Sequence, residues 1–120
     1  MIEIVTGLPD DVLGFRASGT VTGRDYETIL VPAVEEKLEK HEKIGLLYHM
    51  GADFTGFEAE AMWDDMKVGL HHITAWKKIA VISDVGWIRS ATKAMGFVMP
   101  ARVKVFANAE IDEAMKWIGE

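Results

Sequence analysis

The chain opens on "MIEIV", an alternating, β-rich run that predicts a first strand, followed by turn chemistry in "LPDD". "VLGFRASG" predicts a second, interrupted strand, and the short spacer between the two predicts an antiparallel hairpin. The period then becomes helical across "TVTGRDYETILVPAVEEKLEKHEK", where Ile29, Val34 and Leu38 can share a core-facing side. Glu36 and Lys40 form a solvent-side pair four residues apart, and Thr22 with Asp25 has the spacing of a helix-capping signal. Pro32 inside this pattern predicts a kink or a late helix start.

"KIGLLYHM" is too short for a helix between "HEK" and "GAD" and predicts a buried strand. "FEAEAMWDDMKVGLHHITAW" predicts the longest helix, with Met62, Met66, Leu70 and Ile73 at helical spacing. "KKIAVISD" is apolar without alternation, as a parallel strand covered on both faces should be. "GWIRSATKAMG" predicts a shorter helix with Asp84 as its cap and Gly96 as its stop; "ARVKVFA" is a last strand and "EIDEAMKWIGE" a closing amphipathic helix. The order β-β-α-β-α-β-α-β-α predicts a single α/β domain over residues 1–120. Right-handed crossovers then give a mixed, mainly parallel sheet with helices on both faces.

Composition narrows the function classes. With 120 residues, 49% hydrophobic and 27% charged, the chain suits one ordinary globular domain. No cysteine is present, so disulfides and thiolate metal sites are excluded. A net charge of -6 argues against general nucleic-acid binding. The N-terminus lacks a basic flank ahead of a long apolar core, and no apolar run reaches the roughly 20 residues of a membrane span. The expected location is the cytoplasm, extending to peripheral contact at the inner membrane face. From Met66 to Ala109 the one carboxylate is Asp84, against Lys67, Lys77, Lys78, Arg89, Lys93, Arg102 and Lys104. That asymmetry either makes a positive surface or is neutralised by folding against the acidic first half.

Candidate chemistry is sparse. Thr55, at the junction "GADFTGFE", is expected to cap the next helix by accepting from the backbone N–H of Glu58. Gly51 and Gly56 read as tight-turn residues. His71 and His72 are adjacent, so on a helix they point about 100° apart and cannot share a metal. His49 has no partner recognisable in sequence, Glu60 with Asp64 reads as a solvated face, and Trp117 reads as packing. No nucleophile elbow, phosphate loop or Cys/His cluster occurs, so no catalytic residue, metal or cofactor is expected. The more informative set is Trp87, Met95, Phe97 and Met99 with the basic pair Arg89 and Lys93, joined by Phe57 and Trp63 from the neighbouring crossover. Bulky apolar residues beside a basic strip suit an interfacial helix or the mouth of a pocket for an amphipathic anion.

The order of elements and the stretches "HMGADFTGFEAEAMWDDMKVGLHH", "KKIAVISDVGWIRSATKAMG", "MPARVKVF" and "DEAMKWI" resemble the SpoIIAA-like family over essentially the whole chain. That family has the STAS fold, named for sulphate transporters and anti-sigma factor antagonists, and is similar in fold to lipid-carrier domains. The resemblance implies a small non-catalytic binding or regulatory module. Its expected partners are a lipid or other hydrophobic ligand, a membrane surface, a protein, or a second copy in a homodimer. The resemblance to anti-sigma factor antagonists, which are phosphorylated at the start of the helix after the third strand, implies Thr55 as the phospho-acceptor, with Asp53 as the nearby acid. The Asp-Ser-Ser-Gly run of those proteins is absent here.

Overall fold

The computed structural model describes residues 1–63, 67 and 72–120. Its sheet carries five strands in chain order: β1 (Ile2–Val5), β2 (Val12–Val21), β3 (Ile44–Phe57), β4 (Trp76–Ile82) and β5 (Arg102–Phe106). β1 runs antiparallel to β2, with Ile2 opposite Ala17 and Val5 opposite Gly14, and the other neighbours are parallel. The antiparallel first pair and the parallel remainder are those the hydrophobic pattern predicts. Because the parallel strands succeed one another in one direction, crossovers of a single hand must lie on one face. Val34 of α2 (Val31–Lys40), Ala61 of α3 (helical residues 59–63) and Ile88 of α4 (Gly86–Met95) accordingly join one core with Phe15, Tyr48, Ile79 and Val81. The opposite face is covered by α5 (Ile111–Gly119), whose Ala114 and Ile118 pack on Leu47, Ala80, Ile82 and Phe106. Ile79, Ala80, Val81 and Ile82 are all buried, which is why β4 has no alternation.

Local chemistry accounts for the first crossover. Thr22 Oγ1 accepts from the Asp25 N–H at 3.1 Å and Asp25 Oδ2 accepts from the Thr22 N–H at 2.9 Å, a reciprocal capping box that starts α1 (Gly23–Asp25). Pro32 then lies in the first turn of α2, directly after a π-helical turn over Tyr26–Leu30. The proline ring would crowd a carbonyl four residues back in a regular α-helix, and the wider turn relieves that clash. The expected interruption is therefore a π-turn, and the helix continues through it.

Two local expectations are corrected. The segment "GADFTGF" belongs to β3 rather than to a strand-to-helix junction. Beyond the Ala17–Met50 pair, β3 and β2 keep pairing through Gly19–Phe54, Thr20–Gly56 and Val21–Phe57, with register shifts that place extra residues on β3. Gly19 (φ +57°) and Gly56 (φ +148°) absorb those shifts in conformations that a side chain disfavours. Asp84 does not cap α4: Val85 is the N-cap, its N–H donates to Ser83 Oγ at 3.0 Å, and Asp84 Oδ1 instead accepts from the Asn108 N–H at 2.9 Å. α4 does end at Met95 with Gly96 next. Met66, Leu70, Asp64 and His71, which enter the expected long helix, carboxylate pair and histidine pair, lie outside the described residues.

Candidate functional site

A cavity of about 410 Å³ lies between the crossover face of the sheet and the helices above it. Its walls come from every crossover: Leu30 and Val34 from the first, Met62 from the second, Ile88 and Met95 from the third, with Tyr48 and Ile79 from the sheet. None of the described lining residues is Asp, Glu, Lys, Arg or His. Lining residues that are also exposed mark the mouth: Met62 at 47%, Trp87 at 51% and Val98 at 75%. Buried Val34, Tyr48, Trp76 and Ile79 form the interior. Well-packed cores leave few voids larger than a water molecule, whereas ligand sites run from about 300 to 1,000 Å³ and are mostly apolar. This space is of ligand size.

The residues singled out in sequence separate into groups. Phe57, Trp87, Met95 and Met99 line the cavity. Phe57 reaches it because β3 runs on past Gly56, and its ring stacks edge-on with Phe54 at 5.0 Å and Trp87 at 6.2 Å. Phe97, 90% exposed, and Trp63 are exposed neighbours of the rim residues Val98 and Met62 and do not line the interior. Arg89 Nη1 donates to the Ser83 carbonyl at 2.8 Å, which ties it to the end of β4. Two positions apart on a helix, Arg89 and Trp87 point about 200° away from each other. Lys93 is exposed on α4 and is not a lining residue.

Several cations of the acid-poor half gather elsewhere. Lys77 pairs with Asp11, and this hydrogen bond, acting against partial burial, holds the Asp11 carboxyl below its ordinary range. Lys78, Arg102 and Lys104 surround the Trp117 ring at 5.1, 5.9 and 5.9 Å on the α5 face. Trp117 therefore does more than pack, and alternation along β4 and β5 was the signal that could have grouped these cations.

Thr55 does not cap a helix. It lies within β3, its hydroxyl shares a hydrogen bond with that of Thr20 at 3.1 Å, and the Glu58 N–H donates to the Val21 carbonyl at 2.8 Å. The electrostatic reason for a phosphate at this position, a helix N-terminus, is therefore missing. Asp53 accepts from Arg16 Nη2 at 3.1 Å. Burial, and the Arg16 guanidinium with it, pushes the His49 imidazole below its ordinary value of 6.5. Among the described residues no three His, Cys, Asp or Glu side chains come together to hold a metal. No helix among them is long and apolar enough to cross a membrane.

Trp76 is one of several lining residues, with Tyr48 and Ile79, that sequence reasoning missed; it sat in the tail of the expected long helix. It begins β4 opposite Ile44, it is 3% exposed, and its Nε1 has no hydrogen-bond partner among the described residues.

Comparison with known proteins agrees with this architecture. A family model described as SpoIIAA-like matches residues 12–119. A crystal structure of a DUF3478-family protein with a SpoIIAA-like fold from Shewanella loihica PV-4 is 30% identical, with a TM-score of 0.78. The match covers 98% of this chain and 92% of that one. No curated protein matches significantly.

Proposed function

This chain belongs to the SpoIIAA-like family, and we propose that it is a non-catalytic binding module that takes up an uncharged, apolar or lipid-like small molecule between its sheet and its crossover helices. The observation that carries this reading is the cavity of about 410 Å³ whose described lining has no charged side chain. A ligand there gains roughly 25 cal/mol for each Å² of apolar surface removed from water. The exposed rim of Met62, Trp87 and Val98, with Phe97 and Trp63 beside it, gives a water-insoluble molecule an apolar route in, most simply from a membrane surface. A charged head group finds no counter-charge among the described lining residues and stays at the mouth. SpoIIAA-like domains generally bind protein partners, and occupancy of the cavity can be relayed to such a partner through the same rim.

The test is uptake of the uncharged dye Nile red, with mass spectrometry of lipid extracted from the purified protein and co-sedimentation with phosphatidylcholine vesicles. Nile red should bind saturably, and Met95→Trp, which fills the cavity from α4, should weaken it at least tenfold while leaving the far-UV circular dichroism unchanged. No dye uptake, no recovered lipid and no vesicle binding by the wild-type protein would together overturn the reading.

A further inference from the structure

The sheet ends on β5. Among the described residues this strand pairs with β4 alone, and the Phe106 carbonyl, which accepts from the Ser83 N–H at 3.0 Å, continues the same ladder. In an edge strand, alternate N–H and C=O groups point away from the sheet and can take a further strand. Side chains alternate as well. Val103 and Val105 lie half-buried toward the crossover face, and Arg102 and Lys104 stand exposed on the α5 face. Both cations sit against the Trp117 ring beside Lys78, whose Nζ donates to the main-chain oxygens of Trp117 and Glu120 at 3.1 and 3.0 Å. Lys78 is thereby committed to the end of α5. Among the described residues neither Arg102 nor Lys104 pairs with a carboxylate. In a chain of net charge -6, exposed cations without a carboxylate along an open edge make a local positive strip.

We propose that the free edge of β5 takes an extended acidic segment of a partner protein by strand addition. Its carboxylates stand at alternate positions against Arg102 and Lys104, and the apolar side chains between them cover Val103 and Val105. The acidic chemistry follows from the charge of the strip, and the extended form follows from the open ladder. A second copy of this chain is disfavoured. β5 laid antiparallel on itself sets Lys104 against Lys104 or against Arg102, and like charges directly opposite repel. Nucleic acid offers phosphates but no backbone ladder, and the net charge of -6 repels it. The inference is independent of the cavity, which lies on the other face of the sheet from Arg102 and Lys104.

The experiment titrates the full chain with a fluorescein-labelled peptide of alternating glutamate and valine, about seven residues long to span the strand. Fluorescence anisotropy and the backbone ¹H–¹⁵N resonances of β5 are read. The peptide should bind saturably at about 0.05 M salt and slow the solvent exchange of the β5 amides. Binding should weaken about tenfold or more when lysine replaces glutamate in the peptide, and in the double variant Arg102→Glu/Lys104→Glu. N-methylation of the alternate peptide amides that face β5 should abolish binding, and N-methylation of the other set should leave it unchanged. No binding by the wild type, equal binding of the lysine peptide, or full binding by both N-methylated peptides overturns the proposal. Displacement of the peptide by oligothymidylate at equal concentration overturns it in favour of nucleic acid. Self-association of the wild type in sedimentation, abolished by the charge reversal, overturns it in favour of a second copy. If the double variant does not fold, the lysine peptide and the N-methylated peptides decide on the wild type.

Discussion

Replacing Trp76 by phenylalanine in the ligand-free protein sets two opposing effects against each other. The indole is 3% exposed, so removing its five-membered half costs transfer and packing energy. At about 0.8 kcal/mol for each buried carbon lost, that is roughly 2 kcal/mol. The same substitution removes a buried N–H that meets no acceptor among the described residues, which returns roughly 1–3 kcal/mol of desolvation penalty. The two nearly cancel, and Trp76→Phe should lie within about 1 kcal/mol of wild type. Trp76→Ala removes the N–H as well but also empties the site, and should cost about 3 kcal/mol or more. Urea unfolding followed by circular dichroism separates these cases. With a slope of about 1.5 kcal/mol/M, the phenylalanine variant should shift the midpoint by less than about 0.7 M and the alanine variant by about 2 M. If the phenylalanine variant proves as unstable as the alanine variant, the Trp76 N–H has a hydrogen-bond partner in the folded protein and the expected cancellation is refuted.

The capping box gives a prediction with a pH signature. Thr22→Ala should cost about 1 kcal/mol at pH 7, a few degrees in thermal midpoint. Partial burial opposes ionisation of Asp25, but the backbone and hydroxyl bonds to Thr22, helped by the N-terminal ammonium, outweigh it and hold the carboxyl below 3.8. A carboxyl depressed in the folded state stabilises above its unfolded value and loses that contribution as pH falls through the folded one. The wild-type advantage over Thr22→Ala should thus be complete above about pH 5 and shrink below about pH 4. An unchanged gap at pH 3 would show that Asp25 is not part of the box. A pair of glycines tests the β3 extension: a methyl on Gly56 meets no atom within 4 Å, so Gly56→Ala isolates the cost of φ +148° and should destabilise by about 1–3 kcal/mol. Gly86→Ala, equally open but at the helical start of α4, should stabilise by about 0.5–1 kcal/mol. Equal effects of the two substitutions in thermal melts would remove the conformational explanation.

Much of the architecture was legible in the sequence because it rests on short-range pattern. The apolar run of β4, the helical period after Thr22 and the hairpin spacer each act over a few residues, and each appears in the structure. The family was legible for the same reason, since its signature is that pattern. The reading failed where distant pairing overrides local chemistry. Gly51, Thr55 and Gly56 have the composition of a turn, yet a ladder to Gly19, Thr20 and Val21, more than thirty residues away, holds this stretch as strand. Phe57 lined the cavity as a consequence of that ladder, not of any helix start.

The sequence by itself determined the fold class, the order of most elements and the mainly parallel sheet with helices on both faces, because alternation and helical period decide which side chains leave water. Only the tertiary structure decided that Arg89 is tied to the end of β4, that Phe57 and Met99 border one space, and that the Trp76 N–H has no partner among the described residues. A void and an orphaned donor are properties of how elements fill the volume between them. No local pattern encodes that volume, since it depends on how side chains from the sheet and from three separate crossovers meet.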